Sequence, residues 1–207
     1  MPDERNAPPE ILAYVFYAGK AAALVRSPTH QFSRFGGPCG VSFESPALPS
    51  PLHHVATIGP DCLKQKLAFD GKRLIDIIPP GNYGIPLFYG FSYSGCDLRY
   101  ALGLQGVELS SIDPKSADPD WPYRHYPTLL PYFPLEVAEV RKLSWKKFAG
   151  LAENLPDEQP AEIVVLVPPP ATVGYSMWGP DGDGERVTLV FEIEPKIRSV
   201  HAYNVCT

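Results

Sequence analysis

ILAYVFYAGKAAALV, residues 11–25, decides how the rest of the chain is read. Two apolar, β-prone runs, 11–17 and 21–27, flank Ala18-Gly19-Lys20, a short glycine-containing connection. That arrangement predicts a β-hairpin. The competing reading, a membrane-crossing helix, fails on length. The run is broken at Gly19-Lys20 and falls short of the ~20 apolar residues a bilayer requires.

Strand patterns then recur along the chain. HHVATI (53–58) reads as a strand closed by Gly59-Pro60-Asp61, and IPLFYGFSY (85–93) as a short buried one. Ser94-Gly95 turns the latter into CDLRYAL (96–102). AEIVVLV (161–167) has a buried-strand pattern, VGYSMW (173–178) follows, and RVTLVFEIE (186–194) and IRSVHAYNV (197–205) alternate. KRLIDII (72–78) alternates weakly and stops at Pro79-Pro80-Gly81. The clearest helix starts at a Ser144 cap and runs through WKKFAGLAENL to Pro156, with Trp145, Phe148 and Leu151 or Ala152 at helical spacing. LEVAEVRKL, just before it, is ambiguous between strand and helix.

At 207 residues the chain suits one domain, read as a flexible lead over 1–10 and a single β-rich domain over 11–207. Hydrophobic residues (44%) and charged residues (20%) lie near globular averages, so a sizeable core is expected. The 25 prolines exceed twice the usual share of about 5% and mark rigid turns and strand boundaries. Residues 110–134 hold six prolines and five Trp, Tyr or Phe, which predicts an ordered, extended loop with aromatic cover. The fold class expected is α+β: mostly antiparallel strands, one clear helix and long proline-rich loops.

A net charge of −5, with no basic run read anywhere in the chain, argues against nucleic acid and anionic membranes as partners. The opening MPDERNAPPE has no signal-peptide pattern, so the expected location is cytoplasmic, and Cys39, Cys62, Cys96 and Cys206 are read as reduced thiols.

Four places in the chain carry residue types that could support chemistry. FSRFGGPCGVSFE (32–44) lacks both the P-loop and G-x-G-x-x-G spacings and is not followed by a helical pattern, so it reads as a bend. Cys39, His53, His54 and Cys62 are zinc-type ligands. They contain no C-x-x-C pair, and adjacent histidines on a strand face opposite ways, so no metal is assigned. One of the two histidines is expected at the surface and the other in the core. Cys39 and Cys96 could be exposed thiols but are read as core residues, with no nucleophile elbow in the chain. Acids at Asp181, Asp183, Glu185 and Glu192 approach EF-hand spacing, yet Arg186 stands where that loop needs glycine, so 180–184 is read as a hairpin tip.

Taken in order, SRFGG (33–37), PLHHVATI (51–58), IIPPGNYGIPLFY (77–89) and SMWGPDGDGERVTLVFEI (176–193) resemble the YwqG-like family, bacterial proteins grouped as a domain of unknown function. The resemblance covers about half of the chain. It implies a compact, β-rich intracellular domain, with Arg34, Gly36 and Gly37 in the family's first motif and Met177, Trp178 and Gly179 in its last. Thr57 stands where the family carries glutamine, and Pro180 is inserted before Asp181.

No catalytic or cofactor constellation assembles, so no cofactor is expected and a binding role is favoured over an enzyme. The leading expectation is a cytosolic protein-binding module, in its narrowest form an immunity-type protein that neutralises a basic toxin. The alternative is an enzyme or small-ligand binder with a pocket beside Gly36-Gly37. Candidate contact residues are Arg34, His53, His54, Trp121, Tyr123, Trp178, Asp181 and Asp183.

Overall fold

The computed structural model describes residues 9–40, 52–90, 96–103, 106–113, 130–169 and 187–206. In chain order the elements are β1 (Ile11–Tyr17), β2 (Lys20–Arg26), β3 (Arg34–Phe35), β4 (His53–Ile58), α1 (Pro60–Leu63), α2 (Gly71–Ile77) and β5 (Ile85–Tyr89). Then follow β6 (Asp97–Leu102), β7 (Val107–Asp113), β8 (Phe133–Lys142), α3 (Trp145–Ala149), β9 (Ile163–Val167), β10 (Val187–Glu194) and β11 (Ser199–Cys206). The strands form one antiparallel sheet in the order β5-β4-β3-β8-β2-β1-β9-β10-β11-β6-β7.

The opening hairpin is present and tighter than expected. Tyr17 pairs with Lys20, leaving a two-residue loop of Ala18 and Gly19. Both have positive φ, 48° and 71°, as a primed turn demands for matching strand twist. β9 reads IVVLV without alternation because both its faces are covered. On one face Val165 joins the large core with Leu24, Phe35 and Phe191. On the other, Val164 and Leu166 join Phe16 and Phe148. Phe148 and Trp145, both on α3, hold Phe16 at ring-centroid distances of 4.9 and 5.6 Å.

The sheet curls until β5 meets β6 and β11 through side chains. The Tyr100 hydroxyl on β6 accepts from the Phe88 N–H (3.1 Å) and donates to the Pro86 carbonyl (3.2 Å). It thereby occupies backbone groups that an edge strand would leave open. Tyr89 Oη donates to Asn204 Oδ1 at 2.7 Å on the same seam.

Helices differ most from expectation. There are three short ones among the described residues rather than one clear one. KRLIDII is helical: Asp70 Oδ1 accepts from the N–H groups of Lys72 (2.8 Å) and Arg73 (3.0 Å), and Leu74 and Ile77 share the buried face. Pro60 does more than close β4; it opens α1 at the first turn, where its missing N–H costs nothing. α3 is only five residues long, and Ser144 makes no side-chain cap bond. The ambiguous LEVAEVRKL is strand, because pairing with β2 from Leu135 to Lys142 decides it, while β3 pairs with Phe133 and Pro134 just before it. Both ends of the 110–134 stretch are strand, in β7 and β8, and its middle, 114–129, lies outside the described residues. VGYSMW does also.

Candidate functional site

The Gly36-Gly37 turn is a bend held from several sides. Both glycines have positive φ, 57° and 72°. The Gly36 N–H donates to the Val55 carbonyl and the Gly37 N–H to the Leu130 carbonyl. A Cβ on Gly36 would overlap the Pro131 carbonyl oxygen, so only glycine fits the close approach of this backbone.

His54 locks that turn. Its Nδ1 lies 3.2 Å from the Gly37 carbonyl and its Nε2 2.8 Å from the Thr57 hydroxyl. A carbonyl can only accept, so Nδ1 carries the proton and Nε2 accepts from Thr57; the ring is neutral. Burial lowers its pKa to about 4, against the hydrogen bond to Gly37, and the Arg34 charge lowers it further. A β-bulge makes the geometry possible. The register with β5 skips Val55, which returns His54 and Thr57 to one face although they are three residues apart. Arg34 pairs with Thr57 across β3 and β4 and so shares that face.

His53, paired with Tyr89, takes the opposite face, as strand alternation requires. The expectation of one surface histidine is corrected: both are buried, at 3% and 7% exposure. Both sides of β4 are covered. Arg34 keeps its place as the notable residue of the turn, because its Nε is buried without a hydrogen-bond partner among the described residues. Trp121, Tyr123, Trp178, Asp181 and Asp183 lie outside the described residues.

Cys62 and Cys96 are core residues. Cys62 and Cys96 are 0% and 4% exposed, and burial raises both pKa values, that of Cys96 to about 12. Cys39 is half-buried, its Sγ 3.6 Å from Asn82 Oδ1.

A second polar cluster, not singled out from the sequence, sits on β6, β10 and β11. His201 lies between two carboxylates, Nδ1 3.0 Å from Glu192 and Nε2 2.7 Å from Asp97. The bond to Glu192 is the main cause of its raised pKa, with burial opposing and Asp97 adding to the rise. Tyr203 Oη donates to the other Glu192 oxygen at 2.7 Å. With both ring nitrogens donating, His201 serves as a cationic tie across three strands and has no free nitrogen for a substrate proton. The signal was present in the sequence: a four-residue loop over 195–198 pairs Glu194 with Ser199 and thus Glu192 with His201.

A third feature is a groove of about 200 Å³ on the outer face of β1, β2 and β8 beside α3. Ala21 and Ala23 form its floor, Tyr14, Leu143 and Leu151 its apolar walls, and the Glu139–Arg141 ion pair and Lys147 its charged rim. Among the described residues, no group of three or more His, Cys, Asp or Glu side chains could hold a metal ion, and no helix is long and apolar enough to cross a membrane.

The described architecture is that of a β-rich, antiparallel curled-sheet protein. No protein-family profile, curated protein or solved structure matches the chain.

Proposed function

We propose that the protein is a cytosolic binding module for another protein. The observation that carries this reading is an exposed, preorganised aromatic pair. Phe32 and Tyr83 are 44% and 70% exposed, yet their rings lie against each other, centroids 6.0 Å apart at 41°. The backbone beneath them is fixed. Buried Ser33 donates its hydroxyl to Asp61 (2.6 Å) and receives the Gly59 N–H on it (2.9 Å). A Cβ at Gly59 would come within 2.6 Å of Phe32 Cβ, so the two segments approach as closely as glycine allows. Aromatic side chains held in place before binding lose little entropy on contact and dominate interface energetics.

The acidic balance of −5 supports a basic partner, attracted over distance and sensitive to salt. In its narrowest form this is an immunity-type protein that covers a basic toxin; the same charge weighs against nucleic acid. The test is affinity capture from the native host with wild type and with the Phe32→Ala/Tyr83→Ala double variant, checked as folded by circular dichroism. Wild type should retain a partner that elutes with rising salt, and the double variant should lose it. Identical recovery on both baits overturns the reading.

Arg34 supports a second reading, a small-anion binder beside Gly36-Gly37, because its buried Nε is unpartnered among the described residues. His54 would then position the turn rather than act as acid or base. Phosphate or citrate should raise the melting temperature of wild type and leave Arg34→Ala unmoved; equal shifts in both discard this second reading.

A further inference from the structure

Three segments distant in the chain meet beneath the Phe32–Tyr83 pair, and one of them brings a carboxylate. A Cβ placed at Gly59 would come within 2.6 Å of both Phe32 Cβ and Asp61 Oδ1. A Cβ at Gly84, the neighbour of Tyr83, would come within 2.9 Å of Gly59 Cα. Residues 32–33, 59–61 and 83–84 therefore touch through their backbones, and Asp61 stands beside Phe32.

Asp61 is anchored but not neutralised. Its Oδ2 accepts from the Ser33 N–H (3.0 Å), and its Oδ1 from the Ser33 hydroxyl (2.6 Å) and the Cys62 N–H (2.9 Å). All three donors are uncharged, so they fix the carboxylate without cancelling its charge. Among the described residues no Lys, Arg or His pairs with it. A carboxylate oxygen has two lone pairs, so Oδ2 keeps one for a further donor. Asp61 is half-buried, which leaves it reachable while reducing the screening by water.

The two rings lack a cation in the same way. Elsewhere an arginine covers an aromatic face twice, Arg26 on Phe133 at 4.3 Å from the centroid and Arg73 on Phe69 at 5.1 Å. Among the described residues no cation lies over Phe32 or Tyr83. Their separation decides where one could go. A flat group between two rings needs two contacts of about 3.5 Å, about 7 Å in all, and the centroids are 6.0 Å apart. The open position is an outer ring face, beside Asp61.

We propose that Phe32, Tyr83 and Asp61 form the site for an arginine side chain of the partner protein. The guanidinium lies on an exposed ring face, and one of its N–H groups donates to Asp61 Oδ2. This assignment rests on the protein-binding reading of the aromatic pair and names what the pair recognises. Arginine fits better than lysine, because its plane covers a ring while its edge reaches a carboxylate. A purely apolar anchor would use the rings but cover the Asp61 charge without pairing it, which costs free energy.

The test uses the full chain with labelled aromatic ring carbons, observed by NMR. The probes are acetyl-Gly-Arg-Gly-amide, its citrulline analogue, which keeps the planar group without the charge, and its lysine analogue. The expected result is saturable shifts at the Phe32 and Tyr83 rings with the arginine peptide, about tenfold weaker for citrulline and several-fold weaker for lysine. Asp61→Asn should bring the arginine peptide down to the citrulline level, and the citrulline comparison holds however that variant folds. Equal affinity for arginine and citrulline overturns the proposal, as does the absence of ring shifts. Equal affinity for lysine overturns the choice of arginine, and tighter binding of tetramethylammonium assigns the site to a small quaternary ammonium ligand instead. Partner capture separates the two levels. If the Phe32→Ala/Tyr83→Ala bait loses its partner while arginine and citrulline peptides bind alike, the pair docks a protein by another anchor and only the arginine assignment fails.

Discussion

Two histidines, each with both ring nitrogens engaged, perform opposite electrostatic tasks in one sheet. His54 on β4 is buried, bonded to a carbonyl and a hydroxyl, and held neutral with a pKa of about 4. His201 on β11 is partly exposed between Glu192 and Asp97, which favour its charged form. Partner type and burial decide the difference, since the residue is the same and the backbone is strand in both. A carboxylate stabilises imidazolium, whereas a desolvated site with Arg34 on its face disfavours it. The first region is built for rigidity at one protonation state, and the second for a charge-dependent tie between strands.

The most severe way to break the first region is Gly36→Ala. The new Cβ meets the Pro131 carbonyl oxygen at a positive φ, so β3 or the chain before β8 must shift and the Gly37–His54 bond loses its geometry. The expected cost is about 4 kcal/mol. Gly81→Ala is the control. Gly81 also has positive φ, but a Cβ there meets nothing within 4 Å, so only the conformational cost of about 1 kcal/mol applies. Urea melts of both variants measure the contrast, and equal losses would mean that crowding at the turn is not what matters.

Acid separates the histidines next. The folded pKa of His54 lies below its unfolded value of 6.5, so the unfolded chain takes up the proton first as pH falls. The stabilisation from its neutral form is complete above about pH 6.5 and declines toward pH 4, by about 3 kcal/mol in all. Carboxylates also titrate in this window, so the measurement is a difference. His54→Gln should be less stable than wild type at pH 7, and the gap should narrow as the pH approaches 4. A gap that stays constant would show that His54 titrates alike in the folded and unfolded chain.

Legibility in the sequence follows the range of the interactions. The β1–β2 hairpin, β4, β9, β10 and β11 were readable because apolar runs and glycine turns are local signals. α2 was readable in principle: an Asp70 cap with Leu74 and Ile77 three residues apart is a helix signature, and weak alternation hid it. β8 was not, since LEVAEVRKL takes its conformation from pairing with β2, far away in the chain. At the sites, Arg34 and the Gly36-Gly37 bend stood out by composition, but His54's role depends on a bulge at Val55 that no local pattern marks. The groove was hidden by scale. Three consecutive alanines read as generic strand until register shows that Ala21 and Ala23 share the face of Glu139 and Arg141.

His201 gives the smaller effect, and its sign sharpens the contrast. Its folded pKa is raised, so its stabilising contribution is fully present below the unfolded value of 6.5 and fades as pH rises through the folded pKa. His201→Gln should therefore cost about 1 kcal/mol at pH 6, a modest figure because Asp97 is half exposed and water screens the pair. The cost should shrink under alkaline conditions, whereas the cost of His54→Gln stays level there. Glu192 keeps its bond from Tyr203 in the variant, so the β10–β11 pairing persists and the change reports the charge itself. NMR titration of the His201 ring carbons supplies the direct check: a midpoint below 6.5 would remove the carboxylates as the cause and leave the two histidines alike.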